Sequence, residues 1–230
     1  MNRKIVFAPG EYYHLYNRGV EKRDIFMDDS DRHRFISLLY LCNSGASITI
    51  RDLLKDGYTE ESLFDVPIDD HYVAIGAYCL MDNHIHLLVK EIDDNGISHF
   101  MQKLMTAYTM YFNQKYKRVG PLFQGVFKAE HADDDQYLQY LCAYIHLNPL
   151  KMFDPHWRTT KGLSERLIKN IFSYTYSSFL DYSKNEETRV QSKILNKKEF
   201  PQYFENKHDF MKYHMEWLSF NRGLTSVEKD

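Results

Sequence analysis

Residues 81–89 spell MDNHIHLLV and follow directly on another largely apolar run, YVAIGAYCL at 72–80. Both runs have the length of a strand, and Asp82 and Asn83 between them are residues that favour tight turns. The sequence therefore predicts a β-hairpin whose second strand spans 84–90.

The second strand of this hairpin carries two histidines, His84 and His86. Side chains alternate between the faces of a strand, so both imidazoles share one face, and the apolar side chains at 85, 87 and 89 share the other. Two imidazoles on one rigid strand are able to hold a divalent metal ion. The alternative is that the apolar side chains form the core and the histidines face solvent, because so short a motif is common by chance.

The rest of the chain predicts an α+β domain around this hairpin. A strand is expected at 12–19, a helix from Ser30 onwards, a long amphipathic helix over about 97–117, then a short strand and a further helix that ends before Pro149. This order matches a ferredoxin-like split βαβ fold, an antiparallel sheet with helices on one face. We expect this domain to span 10–150, with an acidic, exposed insertion at about 44–70 and a helical C-terminal extension over 151–230.

Composition restricts the class of protein. The net charge of the 230 residues is −3, but seven acids lie within 52–70, so the remainder is mildly basic and is able to contact phosphates. The sequence contains no run of about 18 apolar residues, so no membrane span is predicted. Its N-terminus has no apolar segment of the secretory type. Cys42, Cys79 and Cys142 lie far apart in apolar segments, which predicts buried thiols in a reducing cytoplasm.

The last predicted helix of the domain ends in AYIHLNP, residues 143–149. Tyr144 and Asn148 are four residues apart and so lie on one helix face. A tyrosine there could be a nucleophile, with Asn148 giving an amide oxygen to a metal ion. The alternative is that the tyrosine only packs and that Asn148 caps the helix before proline.

The histidine pair and the tyrosine together point to one chemistry. A divalent ion polarises a phosphodiester oxygen, and a tyrosinate displaces the 3′ oxygen to leave a covalent phosphotyrosine. The phenol has a pKa of about 10, so the field of the metal must assist its deprotonation. Phosphohydrolases that begin with His-x-His are disfavoured, because Leu88 stands where a further histidine or an acid would be required.

Five blocks of the chain resemble the HUH-type single-tyrosine transposases, and within them the REP-associated tyrosine transposases. The blocks are YHLYNRGVEKRDIF (13–26), YCLMDNHIHLLV (78–89), YTMYFNQKYKRVGPLFQGVFKA (108–129), YLCAYIHLNPL (140–150) and YSSF (176–179). The resemblance implies a ferredoxin-like catalytic domain that cuts and rejoins single-stranded DNA near hairpins. Such an enzyme is a metal-dependent DNA strand transferase and single-strand endonuclease.

The same resemblance implies the roles of individual residues. Tyr144 is expected to be the nucleophile and His84 and His86 metal ligands, with Asn148 as the third ligand where related transposases carry Gln, and His146 as an alternative. The resemblance implies contacts with DNA at Arg18, Gln124 and Lys128, and the basic clusters of the sequence add Lys22, Lys115 and Arg118 to the expected contacts. The expected cofactor is a divalent metal, Mg²⁺ or Mn²⁺. The expected partner is single-stranded hairpin DNA, with no membrane involved, for a cytoplasmic, nucleoid-associated protein that acts alone or as a homodimer.

Two features depart from this family. Val126 stands where its members usually carry Arg, which removes a phosphate contact, and the acidic segment at 44–70 has no counterpart in the compact members. An alternative function is that of a domesticated relative, which holds hairpin DNA or RNA as a regulator without cutting it.

Overall fold

The predicted hairpin is confirmed in the computed structural model, which describes residues 5–157, 165–184 and 189–220. Strand β2 (Val73–Met81) pairs antiparallel with β3 (His84–Glu91), and a two-residue turn joins them. Eight of the nine positions in β2 are apolar and all nine are buried, as expected for a strand covered on both faces.

The first strand of the chain completes the centre of the sheet. β1 (Tyr12–Arg18) pairs antiparallel with β3 on one side and with β4 (Lys128–His131) on the other, so the strand order is β2-β3-β1-β4. Because β1 and β2 both run antiparallel to β3, they are parallel to each other with β3 between them. This is the split βαβ arrangement, and it confirms the ferredoxin-like α+β fold.

Helices cover both faces of this sheet. α1 (Asp29–Leu41) and α3 (Gly96–Lys115) pack on the face that carries Leu87. The two helices of a split βαβ fold are expected to share one face of the sheet, and these two helices do so. α4 (Asp135–Leu147) packs on the opposite face, against Leu88. The helix that ends in the AYIHLNP segment therefore covers the face to which the two histidines of β3 also belong.

The acidic segment at 44–70 is less exposed than its composition predicts. It contains a short helix, α2 (Ile50–Lys55), and its apolar side chains enter the main core. Ile50, Leu63 and Phe64 are 6%, 1% and 4% exposed. The prediction of an exposed insertion is wrong for these side chains, because apolar residues spaced through the segment are buried while most of its charged residues stay at the surface.

The described residues beyond 150 include helices that pack onto α4, and the predicted helical extension is confirmed. Apolar side chains from four of its helices share a buried cluster with Cys142 and Leu147 of α4. Its helices are α5 (Leu150–Phe153), α6 (Glu165–Ser173), α7 (Phe179–Ser183) and α8 (Lys207–Phe220). The three cysteines are buried and carry free thiols, and within the described residues no helix is long and apolar enough to cross a bilayer.

Lys115, at the end of α3, joins that helix to the start of α1. Its ammonium lies 2.8 Å from the Asp28 carboxylate and 2.7 Å from that of Asp31. Asp31 is fully buried and also accepts hydrogen bonds from the hydroxyls of Tyr111 and Tyr116. These contacts hold the two helices of one face together at their ends.

Replacing Asp31 with alanine should lower the free energy of unfolding by about 3 kcal/mol, because it removes the buried acceptor of two tyrosine hydroxyls and one of the two carboxylates that bind the Lys115 ammonium. Urea denaturation followed by circular dichroism at neutral pH measures this. Asp69→Ala removes an exposed carboxylate and should change the free energy of unfolding by less than about 0.5 kcal/mol. Equal effects of the two substitutions would contradict the role given to Asp31.

Candidate active site

His84 and His86 lie on the face of β3 that α4 covers. Their ring centroids are 5.0 Å apart and their planes are nearly perpendicular. His86 is buried, with 3% of its surface exposed, and His84 is half-buried. Ile85 and Leu87 point into the core on the opposite face, so the alternation predicted from the sequence is confirmed. The histidines lie beneath a helix and do not simply face solvent.

Tyr144 contacts the histidine site from α4. Its ring centroid is 5.7 Å from that of His86 and 5.8 Å from that of His14, and it meets both rings edge-on. Leu141 and Ile145, on either side of it along the helix, pack against the sheet and hold α4 in this position. Residues that are far apart in the sequence are thus brought together within one chain.

His14 belongs to this site and was not identified from the sequence. It lies on β1, is 4% exposed, and its Nε2 is 2.9 Å from the Nδ1 of His86. Strand alternation gave a usable signal, since Tyr13 and Leu15 point into the core and His14 must therefore share the other face with Tyr16. A lone histidine in a strand does not reveal its partner, which depends on the pairing of β1 with β3.

Glu130 on β4 extends the histidine pair toward the edge of the sheet. Its carboxylate lies 3.9 Å from His14 Nδ1 and accepts hydrogen bonds from the hydroxyls of Tyr16 and Tyr137. His14 is the largest cause that lowers the pKa of Glu130 to about 2, and the two hydroxyls lower it further against the opposing effect of burial. A charged Glu130 favours the His14 tautomer with its proton on Nδ1, so that His14 Nε2 accepts from His86 Nδ1. The lone pair of His86 is then on Nε2.

The residues present fit a divalent metal ion. His84 Nδ1 lies 2.6 Å from the Asn83 amide oxygen, which only accepts, so the lone pair of His84 is also on Nε2. Asn148, the predicted third ligand, follows Tyr144 by one helical turn at the end of α4 and is 1% exposed. Neither end of its amide has a hydrogen-bond partner among the described residues. A buried amide without partners is costly, and ligation of an ion would satisfy its oxygen.

Two permanent positive charges lie close enough to His86 to affect its protonation. Burial lowers the pKa of His86 well below its ordinary value, and four neighbours lower it further: His14, His84, Lys151 and Arg18. His86 is therefore neutral at physiological pH and keeps its lone pair available. Arg18 was expected here, whereas Lys151, just beyond α4, was not identified from the sequence. A phosphate that approaches His86 would meet both cations.

His146 does not share this site. It is fully buried, its Nε2 lies 2.8 Å from Ser178 Oγ, and its Nδ1 lies 3.2 Å from His214 Nε2. Two positions along a helix are about 200° apart around its axis, so His146 and Tyr144 point to different sides of α4. The alternative ligand considered from the sequence is thus directed away from His84 and toward α8.

Two of the six expected DNA contacts are engaged within the protein. Lys115 is bound by Asp28 and Asp31, and Arg118 donates a hydrogen bond of 2.8 Å to Asn113. A basic cluster in the sequence does not show whether its cations have acidic partners elsewhere in the chain. The structure gives both residues a part in holding α3 and the segment that follows it.

The other four expected contacts lie around the site or on nearby loops. Lys128 is exposed and its ammonium is 5.5 Å from the centre of the Tyr16 ring. Gln124 is exposed, and its backbone N–H donates to the Arg18 carbonyl at 2.7 Å. Lys22 is exposed on the loop after β1. Val126, in place of the usual Arg, is 67% exposed on the same loop as Gln124.

Comparisons with known proteins agree with this fold. Residues 11–148 match the family model for IS200-like transposases, and because the match spans more than half of the chain, this protein belongs to that family. It is accordingly a transposase, a DNA-binding enzyme of recombination. A solved structure of a REP-associated tyrosine transposase bound to a REP hairpin has a TM-score of 0.50 and 11% identity, over 83% of this chain and 90% of that chain, which shows a shared fold. No curated protein matches the chain.

Replacing His14 with phenylalanine should weaken the binding of Mn²⁺ by about 10–100-fold, because His86 loses the partner that orients its ring and fixes its tautomer. Isothermal titration calorimetry of the metal-free protein measures this affinity. His131→Phe is the matched control, since His131 also lies on the sheet but binds Glu11 outside the site. Unchanged affinity in His14→Phe would contradict the role assigned to His14.

Proposed function

We propose that this protein cuts and rejoins single-stranded DNA beside hairpins, and that Tyr144 becomes covalently bound to the DNA in between. The observation that carries the proposal is the edge-on contact of Tyr144 with the rings of His14 and His86, at 5.8 and 5.7 Å. A tyrosine that served only for packing would not need to lie beside a buried pair of histidines with Arg18 and Lys151 near them.

The proposed step exchanges one phosphodiester for another. The Tyr144 oxygen attacks phosphorus and forms an O–P bond while the bond from phosphorus to the 3′ oxygen breaks. The phenol loses its proton, and the departing 3′ oxygen gains one. Attack by a 3′ hydroxyl in the reverse direction rejoins DNA and frees the tyrosine, without ATP, because the number of phosphodiester bonds does not change.

A divalent ion, Mg²⁺ or Mn²⁺, fits this proposal with His84, His86 and Asn148 as its ligands. When bound, it would lower the pKa of the phenol and stabilise the charge that develops on the phosphate. His14 orients the His86 ring through the contact with His86 Nδ1, and Glu130 orients His14 in turn. Arg18 and Lys151 attract the phosphate to the site.

The path of the DNA is proposed to follow the exposed side of β1 and β4. Tyr16 is half-buried beside the site, with its ring 6.0 Å from that of His86, and Lys128 lies next to it. An aromatic ring beside a lysine suits single-stranded DNA, because bases stack on the ring and the cation meets the backbone. Gln124 and Arg18 continue this surface. The relative of known structure is bound to a hairpin, which supports hairpin DNA as the substrate here.

The proposed site needs residues of one chain only. Tyr144 lies beside histidines of its own β1 and β3, so cleavage requires no helix from a second copy. Homodimer formation stays a prediction.

Replacing Tyr144 with phenylalanine should abolish the covalent protein–DNA adduct, because the attacking oxygen is removed while the ring still packs between sheet and helix. Labelled hairpin DNA with a single-stranded flank, incubated with Mn²⁺ and resolved on a denaturing gel, measures the adduct. Tyr140→Phe is the matched control, one helical turn away, and should keep it. If the wild-type protein binds the hairpin but forms no adduct, the result would instead support the function of a regulator that does not cut DNA.

Replacing Lys128 with glutamine should weaken binding of the same DNA and reduce the slope of log affinity against log salt by about 0.7, the value for one phosphate contact on a single strand. Fluorescence anisotropy at several salt concentrations measures both. Lys115→Gln should leave this slope unchanged, because Lys115 is already bound by Asp28 and Asp31. A reduced slope in Lys115→Gln with no change in Lys128→Gln would contradict the proposed path.

A further inference from the structure

Cys142, His146 and His214 meet on the side of α4 that faces away from the candidate active site. Their ligand atoms, Cys142 Sγ, His146 Nδ1 and a ring nitrogen of His214, all lie within 4.8 Å of one another. The exposed fractions of the three residues are 8%, 0% and 1%. Three nitrogen and sulfur donors therefore converge in the interior, where α8 packs against α4.

Two of the distances between these atoms are those of a tetrahedral zinc site, and the third is at most 4.8 Å. Cys142 Sγ is 3.6 Å from His146 Nδ1, which is 3.2 Å from His214 Nε2. In a tetrahedron with Zn–S of about 2.3 Å and Zn–N of about 2.05 Å, a sulfur and a nitrogen are about 3.5 Å apart and two nitrogens about 3.4 Å. Both measured distances agree with this geometry to within a few tenths of an ångström.

We propose that Cys142, His146 and His214 bind a Zn²⁺ ion that ties α8 to the helix carrying the candidate nucleophile. A thiolate with two imidazoles favours Zn²⁺ over Mg²⁺ and Mn²⁺, which prefer oxygen ligands. The site is chemically different from the one that includes Asn148, and it does not depend on the activity of Tyr144.

The surrounding hydrogen bonds leave the correct nitrogens free. His214 Nδ1 lies 2.7 Å from the Phe210 carbonyl, which only accepts, so the lone pair of His214 is on Nε2. His146 Nε2 lies 2.8 Å from Ser178 Oγ, which in turn lies 3.3 Å from the Tyr78 carbonyl. When His146 donates to Ser178 and Ser178 to Tyr78, the lone pair of His146 is on Nδ1, toward the ion. Partners of this kind orient ligating histidines in known metal sites.

The same residues are also satisfied without metal. If the Ser178 hydroxyl turns to donate to His146 Nε2, then His146 Nδ1 carries the proton and donates to His214 Nε2. Passing from the hydrogen-bonded to the ligating arrangement thus needs rotation of one hydroxyl and movement of the His146 proton from Nδ1 to Nε2. The rings keep their positions in both, so the ion would enter a site that is already formed.

Burial also sets the protonation of the donors before metal binding. It lowers the pKa of His146 well below its ordinary value and that of His214 to about 4, so both imidazoles are neutral and able to ligate. Burial raises the pKa of Cys142 to about 12, so the free thiol keeps its proton at neutral pH. Zn²⁺ binding would replace that proton with a Zn–S bond and release one proton to solvent.

A cavity gives the site an entry path. It has a volume of about 1060 Å³, and both Cys142 and Phe210 line it. Solvent in this cavity therefore reaches the neighbourhood of the sulfur. A water molecule from the cavity could complete the fourth coordination position, which the three protein donors leave open.

Cobalt substitution tests this proposal on the metal-free, full-length protein. A Co²⁺–thiolate bond produces a charge-transfer absorption in the near ultraviolet that a site of imidazole and amide ligands lacks. We expect one equivalent of Co²⁺ to produce this band and Zn²⁺ to displace it. Cys142→Ala should abolish the band, and His214→Phe should weaken Co²⁺ binding at least about tenfold. Cys79→Ala, which removes another buried thiol, should leave the band unchanged.

Absence of the band in the wild-type protein, or its survival in Cys142→Ala, would overturn the proposal. If Cys142→Ala does not fold, X-ray absorption at the zinc edge of the wild-type protein loaded with one equivalent of Zn²⁺ decides. A sulfur shell at about 2.3 Å supports the proposal, and a shell of nitrogen and oxygen alone overturns it. Zn²⁺ should also raise the melting temperature of the wild-type protein and not that of His214→Phe.

Discussion

The antiparallel pairing of β1 with β3 determines which side chains share the candidate active site. In its register Tyr16 lies opposite His86 and His14 opposite Leu88, which brings the two histidines together as diagonal neighbours. A slip by one residue would turn His14 and Tyr16 to the other face of the sheet. The register is held from that other face, where Leu15 and its neighbours are fully buried under α1 and α3.

Helix α4 connects this site to the rest of the molecule. One side of it presents Tyr144 to the histidines, and another side presents Cys142 and His146 to α8. A rigid helix transmits a displacement of either side to the other, so the packing of the C-terminal extension bears on where the candidate nucleophile lies. The extension is thus part of the support of the site as well as an addition to the domain.

Local patterns were sufficient to predict the hairpin, the main helices and the shared face of His84 and His86. They could not reveal His14 or Glu130 as parts of the site, because those contacts depend on how distant strands pair. Local sequence likewise could not show that Lys115 is held in ion pairs, since its acidic partners lie far away in the sequence. For the acidic segment, composition was misleading because a few spaced apolar residues decide burial.

The central claim is that Tyr144, and no other tyrosine, forms the bond to DNA. α4 also presents Tyr137 and Tyr140, whose hydroxyl chemistry is the same, so the geometry of the site must select among the three. Peptide mass spectrometry of the wild-type protein, digested after reaction with a hairpin substrate, locates the phosphonucleotide directly. We predict that it is found on Tyr144, and its presence on Tyr137 or Tyr140 instead would contradict the assignment of Tyr144 as the nucleophile.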